Sequence, residues 1–374
     1  MTPAVHSRRP TALASCVVLL LAAVLWSCSS PGPTPHSTPS PEVSVLAATG
    51  APTGPLVDEW PGLSSPAPAV TPAPTATATA ATATTAAGTP GPINGVVTPP
   101  TPRPGVTVSI VAAGDIACDP TQNVGAPKDC DQAATANQIG QLHPTAVLTL
   151  GDDQYDNGTL AGFKTVFGPT WGAYRSIMYP AIGNHEYLTA HAAGYFGYFG
   201  VPAYYSLNLG DWHLISLDSE CSYVGGCQVG SAQERWLQAD LAAHPSVCTL
   251  VYWHEPRWSS GEHGDATQMS AIWADLVAAH VDVVLSGHNH DYERFVPLNA
   301  TGQPDPGGVT EFVVGTGGKN HYGFVAAPLT GEAVRNDTSF GVIQMSLGPT
   351  SYSWKFDPAP GYTFTDSGSA HCVP

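Results

Sequence analysis

The chain has 374 residues and a formal net charge of -17, with only 12 lysines and arginines against 29 aspartates and glutamates. That balance excludes nucleic acid and anionic membrane surfaces as electrostatic partners. An anionic substrate would have to be met by positive charge from another source, and bound metal is the natural one.

The length suits one large or two small domains, yet the first hundred residues are not domain-like. Arg8-Arg9-Pro10 followed by an apolar stretch containing "VVLLLAAVL" reads as a secretory leader, too short for a membrane span. The stretch ends in Leu25-Trp26-Ser27-Cys28, which resembles a bacterial lipoprotein cleavage box with Cys28 as the lipidated residue; ordinary secretion is the alternative. Residues 1–28 are therefore expected to be a signal peptide that leaves the protein exported, as a cell-surface lipoprotein or free. Residues 29–105 are dominated by Pro, Thr, Ala, Ser and Gly, as in "TPAPTATATAATATTAAGTPGP". They hold too few large apolar side chains to offset chain entropy, which predicts a disordered stalk.

Residues 106–374 are long enough to form one domain with a substantial core. "VTVSIVAAGD" (106–115) is a β-branched run ending at Asp115, and "TAVLTLGDD" (145–153) repeats the pattern after an Ala-rich polar segment. "IMYPAIGNHE" (177–186) does so again. "YYSLNLGDWHLISLD" (204–218) alternates around Leu209-Gly210-Asp211 and predicts a hairpin. "SAQERWLQADLAAH" (231–244) opens with Ser231 and Glu234 in capping-box spacing and puts Trp236, Leu237 and Leu241 on one helical face. "CTLVYWHE" (248–255) is a further strand, "DATQMSAIWADLVAAH" (265–280) a helix, and "VDVVLSGHNH" (281–290) a strand ending in histidines. "TEFVVGTGG" and "FGVIQMSL" predict more strands. The alternation points to an α/β domain, two sheets with helices outside, whose site lies at the carboxyl ends of the strands.

Six cysteines fall in this region, an even number that favours disulfides in an exported chain. The expected pairs are Cys118 with Cys130, Cys221 with Cys227, and Cys248 with Cys372.

Asp115, Asp152, Asn184, His254 and the pair His288 and His290 each follow a separate apolar run. Any one alone reads as a turn or surface residue, but five strand ends converging with oxygen and nitrogen donors suit two borderline or hard metal ions.

These residues also carry a family resemblance. "GD" at 114, "GDDQY" at 151, "GNHE" at 183, "VYWH" at 251 and "GHNH" at 287 resemble, in order, the five motif blocks of the calcineurin-like metallophosphoesterases. Tyr155 makes the second block similar to that of the purple acid phosphatases. The resemblance implies a four-layer α/β/β/α sandwich and a binuclear centre. It makes Asp115, Asp152, Tyr155 and His290 ligands of Fe(III), with Asp152 bridging to a divalent Zn, Mn or Fe held by Asn184, His254 and His288. The implied activity is hydrolysis of phosphate monoesters by metal-hydroxide attack on phosphorus. A phosphodiesterase or nucleotidase is the alternative on the same centre, and a non-catalytic surface binding module the alternative of another class.

The first block departs from the family: Ala117 stands where the purple enzymes carry Gly and the wider superfamily a ligand His. Tyr155 fills that vacancy, and charge explains the exchange. Replacing a neutral imidazole by a phenolate removes one unit of positive charge, and a ferric ion in place of a divalent one restores it. A phenol, with a pKa of about 10, also needs a strong Lewis acid to ionise at neutral pH. The competing reading makes Tyr155 a packing residue beside a zinc or manganese pair.

By the same resemblance His185 contacts phosphate and protonates the leaving oxygen. His263, nine residues after His254, is expected to be either a second outer-sphere histidine or a surface-loop residue. Glu186 is expected either to orient His185 or to face solvent. Lys319 and His321, after "VVGTGG", are candidates for substrate contact. His213, His143, His244 and His280 read as structural, loop or helix-end residues. Asn157, Asn299 and Asn336 begin sequons without expected consequence.

Overall fold

A computed structural model describes residues 104–119 and 130–373. The leader, Cys28 and the stalk lie outside the described residues, apart from the stalk's last two positions.

The strands are β1 Val108–Ala113, β2 Ala146–Leu150, β3 Met178–Ala181, β4 Tyr205–Leu209, β5 Trp212–Ser216, β6 Cys248–Tyr252, β7 Val283–Ser286, β8 Tyr292–Phe295, β9 Thr310–Val314, β10 Glu332–Asn336, β11 Gly341–Leu347, β12 Ser351–Pro358 and β13 Ser367–His371. The α-helices are α1 Gln132–Leu142, α2 Leu160–Gly162, α3 Asn184–Tyr187, α4 Ala193–Phe199, α5 Ala232–Ala243 and α6 Ser270–Ala278. One sheet runs β13-β12-β11-β1-β2-β3 and the other β10-β8-β9-β7-β6-β5-β4. Both are mixed: β1, β2 and β3 are parallel, as are β5, β6, β7 and β9, while the outer strands pair antiparallel.

Strand alternation separates two cores. In the second sheet Leu214 pairs with Leu250, and Leu285 with Phe312. These four join Ile110, Leu148, Ile343 and Met345 of the first sheet in one buried cluster. Their immediate neighbours Ile215, Val251 and Val284 point the other way and pack with Leu237 of α5 and Ile272, Trp273 and Leu276 of α6. Period-two alternation thus serves two partners, a sheet on one face and helices on the other. On the far side of the first sheet, Ala136 and Ile139 of α1 complete the apolar packing. The expected two-sheet sandwich flanked by helices is what forms.

The local expectations hold in most places. The hairpin turns at Gly210, whose φ is +65°. Ser231 caps α5, its hydroxyl accepting from the Glu234 N–H at 3.3 Å. The capping box is half made, because Glu234 accepts from the Gly230 N–H at 3.0 Å rather than from Ser231. Trp236 and Leu241 are partly buried against the α5–α6 core. His143 and His244 cap the carboxyl ends of α1 and α5, and His280 lies in the turn after α6.

All three expected disulfides are present: Cys118–Cys130, Cys221–Cys227 and Cys248–Cys372. The last spans 124 residues and ties the C-terminal segment to the first residue of β6. The chain-entropy model makes that bridge worth about 5 kcal/mol, against about 2 kcal/mol for the short Cys221–Cys227 loop. Replacing both Cys248 and Cys372 by serine should therefore lower the urea-unfolding free energy at least twice as much as the same change at Cys221 and Cys227. Equal losses would contradict the ranking.

Candidate metal centre

The end of β1 supplies Asp115, β2 leads into Asp152 and Tyr155, β3 into Asn184, β6 into His254, and β7 into His288 and His290. The two sheets therefore bring all seven residues to one rim. Asp115, Asp152 and His288 have φ values of 60°, 50° and 69°, left-handed conformations that non-glycine residues rarely adopt. Each costs on the order of 1–3 kcal/mol, which only a surrounding structure that over-determines the site sustains. Gly151, with φ +87°, lets the Asp152 loop pass against His254. A Cβ there would stand 2.7 Å from that residue's Cγ.

The donor atoms fall into two groups with one member in common. Tyr155 Oη lies 2.8 Å from Asp115 Oδ1, 2.8 Å from Asp152 Oδ2 and 3.0 Å from His290 Nε2. His254 Nε2 lies 3.3 Å from the same Asp152 Oδ2, 3.1 Å from Asn184 Oδ1 and 3.2 Å from His288 Nδ1. Asp152, His254 and His288 form a compact candidate ligand group.

Proton counting tests whether this set fits cations. His254 Nδ1–H donates to Leu150 O at 2.8 Å and His290 Nδ1–H to Asn320 O at 2.5 Å. Each ring, when neutral, therefore turns a bare Nε2 lone pair inward. Tyr155 has one proton to share among three acceptors. Lone pairs crowded to about 3 Å with so few protons are mutually repulsive, and positive ions relieve that repulsion.

The protonation energetics agree. Burial opposes charge on Asp152, yet His254 and His185 hold its carboxyl far below the usual range. Burial likewise opposes charge on His254, but the Asp152 and Asp115 carboxylates pull its imidazole well up. Burial first, then Asp115 and Asp152, push the Tyr155 phenol well above its ordinary value. A phenolate at this position therefore calls for a strong cation.

Asp153, the second carboxylate of "GDDQY", does not enter either group. It is fully buried, and burial pushes its carboxyl well up. In "GHNH" the middle residue turns away: Asn289 is buried, donates to Ser259 Oγ at 2.6 Å and accepts from the His263 N–H at 2.8 Å.

His185 is half-buried at the edge of the cluster. Its N–H donates to Asp152 Oδ1 at 2.9 Å, and its Nδ1–H donates to Asp156 O at 2.6 Å. That leaves Nε2, 3.8 Å from Asp152 Oδ2, facing the donors. The His263 ring packs 4.4 Å from that of His288. Lys319 Nζ sits 5.3 Å from the Tyr155 ring centre and 3.7 Å from Asp156 Oδ1, so it borders the centre. His321 turns back instead, its Nδ1–H donating to His290 O at 2.9 Å and its ring stacking on Phe340.

Glu186 corrects the sequence reading. It is fully buried and neither orients His185 nor faces solvent. Its carboxylate accepts from the N–H groups of Asp152 at 3.0 Å, Gln154 at 3.2 Å and Gly183 at 2.9 Å, holding the second and third blocks together. The sequence also passed over Tyr322, whose ring stacks 4.0 Å from that of His290. A tyrosine in an irregular loop carries no periodic signal, and only the fold brings it here.

With this geometry established, comparison with known proteins is direct. Residues 109–292 match the family model described as calcineurin-like phosphoesterase. Those residues, which hold all seven donors, thus carry the calcineurin-like phosphoesterase signature. Within that class the chain resembles the purple acid phosphatases: it is 36% identical to purple acid phosphatase 22 of Arabidopsis thaliana over 220 residues, half of each chain. It is 29% identical to purple acid phosphatase 1 of Ipomoea batatas over 228 residues, 53% of this chain and 45% of that one. The chain spans half or less of the length of these relatives. Among solved structures, purple acid phosphatase PPD1 from yellow lupin (Lupinus luteus) seeds shares the fold, with a TM-score of 0.62, 19% identity, and coverage of 72% of this chain and 55% of that one. In this chain Asp152, His254 and His288 are placed to offer three ligand atoms to one metal ion.

The Glu186 clamp should be felt in metal affinity. Glu186→Gln keeps the shape but replaces one of the two oxygens that accept from the three N–H groups by an NH2 donor, so ion affinity should fall about 10- to 100-fold in a chelator competition with the fold intact. Unchanged affinity would show that the clamp does not position the ligands.

Proposed function

We propose that this protein is an exported binuclear-metal phosphatase that hydrolyses phosphate monoesters. One observation carries the reading: a single oxygen, Asp152 Oδ2, belongs to both donor groups. Asp115, Asp152, Tyr155 and His290 would hold Fe(III), and Asp152, Asn184, His254 and His288 a divalent Zn, Mn or Fe ion. Two bound cations would supply Lewis acidity, neutralising phosphate oxygens and making water acidic enough to act as a nucleophile near neutral pH.

The remaining chemistry is assigned to the chain's own residues. His185 keeps its Nδ1 proton on Asp156 O, so Nε2 is the atom that bonds the substrate and, when protonated, gives its proton to the leaving oxygen. His263 stands beside His288, where burial, and then the charge of His290, hold its imidazole below the ordinary range. It would meet the substrate as a neutral hydrogen-bonding group. Lys319 adds local positive charge to a strongly acidic chain. Three disulfides support export, because such bridges persist in oxidising compartments. Attachment through Cys28 and display on the stalk belong to the same proposal and rest on the sequence.

The test compares a phosphate monoester with a diester of the same alcohol on metal-loaded protein. The monoester should have the higher kcat/KM, and His185→Asn should lower its kcat about 10²-fold at unchanged metal content. Preference for the diester would make the protein a phosphodiesterase. Hydrolysis of neither would make it a binding module.

A further inference from the structure

Tyr187 ends α3, three residues after Asn184, so the two side chains share one face of a single helical turn. Its hydroxyl donates to Asp218 Oδ2 at 2.6 Å, which fixes the ring. Tyr223 lies flat against it, with ring centres 3.8 Å apart and planes at 10°. Tyr223 belongs to the loop closed by Cys221–Cys227, in which the Tyr223 N–H donates to Glu220 O at 2.9 Å and the Gly226 N–H to Cys221 O at 2.7 Å. One face of Tyr223 is covered by an anchored ring, yet the residue remains 56% exposed, and Leu188 beside Tyr187 is 63% exposed. A cross-linked loop thus presents an aromatic face to solvent, stacked on Tyr187, which lies two residues after His185.

The surroundings narrow what this face would take. The neighbouring residues are acidic: Asp218 accepts from the Tyr187 hydroxyl, and Glu220, which precedes Cys221, accepts the Tyr223 N–H on its backbone oxygen. Further negative charge on a ligand would be repelled here. An uncharged ring would gain stacking area without that penalty.

Resting on the phosphatase reading, we propose that Tyr223, backed by Tyr187, is the leaving-group platform of this site. The substrate class is then a phosphate monoester whose alcohol carries an uncharged aromatic ring. With phosphate at the metal ligands and the ester oxygen toward His185, the stacked pair of Tyr187 and Tyr223 offers the alcohol an aromatic face at the end of α3.

The test uses ligands that cannot be hydrolysed, so that binding and catalysis are read separately. Benzylphosphonate and propylphosphonate are titrated calorimetrically into the metal-loaded full chain. The native protein should bind the benzyl compound about three- to ten-fold more tightly. Tyr223→Ala should bring that ratio close to one, and Tyr223→Phe should keep it; the propyl compound in each variant is the internal check that the site is intact. Equal affinities in the native protein, a ratio that survives Tyr223→Ala, or binding of neither phosphonate would overturn the platform. Failure to hydrolyse any monoester, with the ratio present and lost in Tyr223→Ala, would instead overturn the phosphatase reading and leave the platform standing.

Discussion

The structure depends on one constraint: lone pairs that repel one another must be held within about 3 Å on a rim shared by two sheets. Asp152 Oδ2 sits at the middle of that arrangement, 2.8 Å from Tyr155 Oη and 3.3 Å from His254 Nε2. Without positive charge the cluster is unfavourable, so the rest of the domain has to fix it in advance. Three donor residues in left-handed backbone conformations and a buried glutamate gripping three N–H groups are the visible means.

The sandwich explains why this is affordable in conformational terms. Asp152, Asn184, His254 and His288 each follow a short strand that is fully buried, so packing sets where the loops that carry the donors begin. Leu214, Leu250 and Leu285 lock the second sheet to the first, while Ile215, Val251 and Val284 lock it to α5 and α6. Outer residues then orient the donor side chains. Leu150 O and Asn320 O choose the tautomers of His254 and His290, Tyr322 covers the His290 ring, and Lys319 stands over Tyr155.

Much of this was legible in the sequence, for physical reasons. A buried strand leaves an uninterrupted apolar run, and a polar residue at its end stands out against it, which is why six of the seven donors could be named; Tyr155 was named from the resemblance of "GDDQY" to the purple acid phosphatase block. Disulfide pairing was legible because cysteines near in sequence left Cys248 and Cys372 as the remaining pair. Less was legible where the signal is weak or tertiary. β8 is Tyr-Glu-Arg-Phe and β13 is Ser-Gly-Ser-Ala-His, neither apolar enough to announce a strand, and each forms by pairing with a stronger neighbour. The stretch from 160 to 199 folds around Phe163, Phe167, Tyr195 and Phe199, whose spacing mixes helical turns of different pitch. Glu186 beside His185 looked like a catalytic partner, and its burial could be seen only once the second and third blocks were placed together.

The central claim is that the donor cluster exists to hold two cations, the one at Tyr155 being ferric. It is tested most directly by the visible absorption spectrum of the protein purified from its native host without added metal. The account predicts a visible phenolate-to-iron band that disappears in Tyr155→Phe. A metal-replete protein with no such band would contradict the ferric assignment and leave Tyr155 as a packing residue beside two divalent ions.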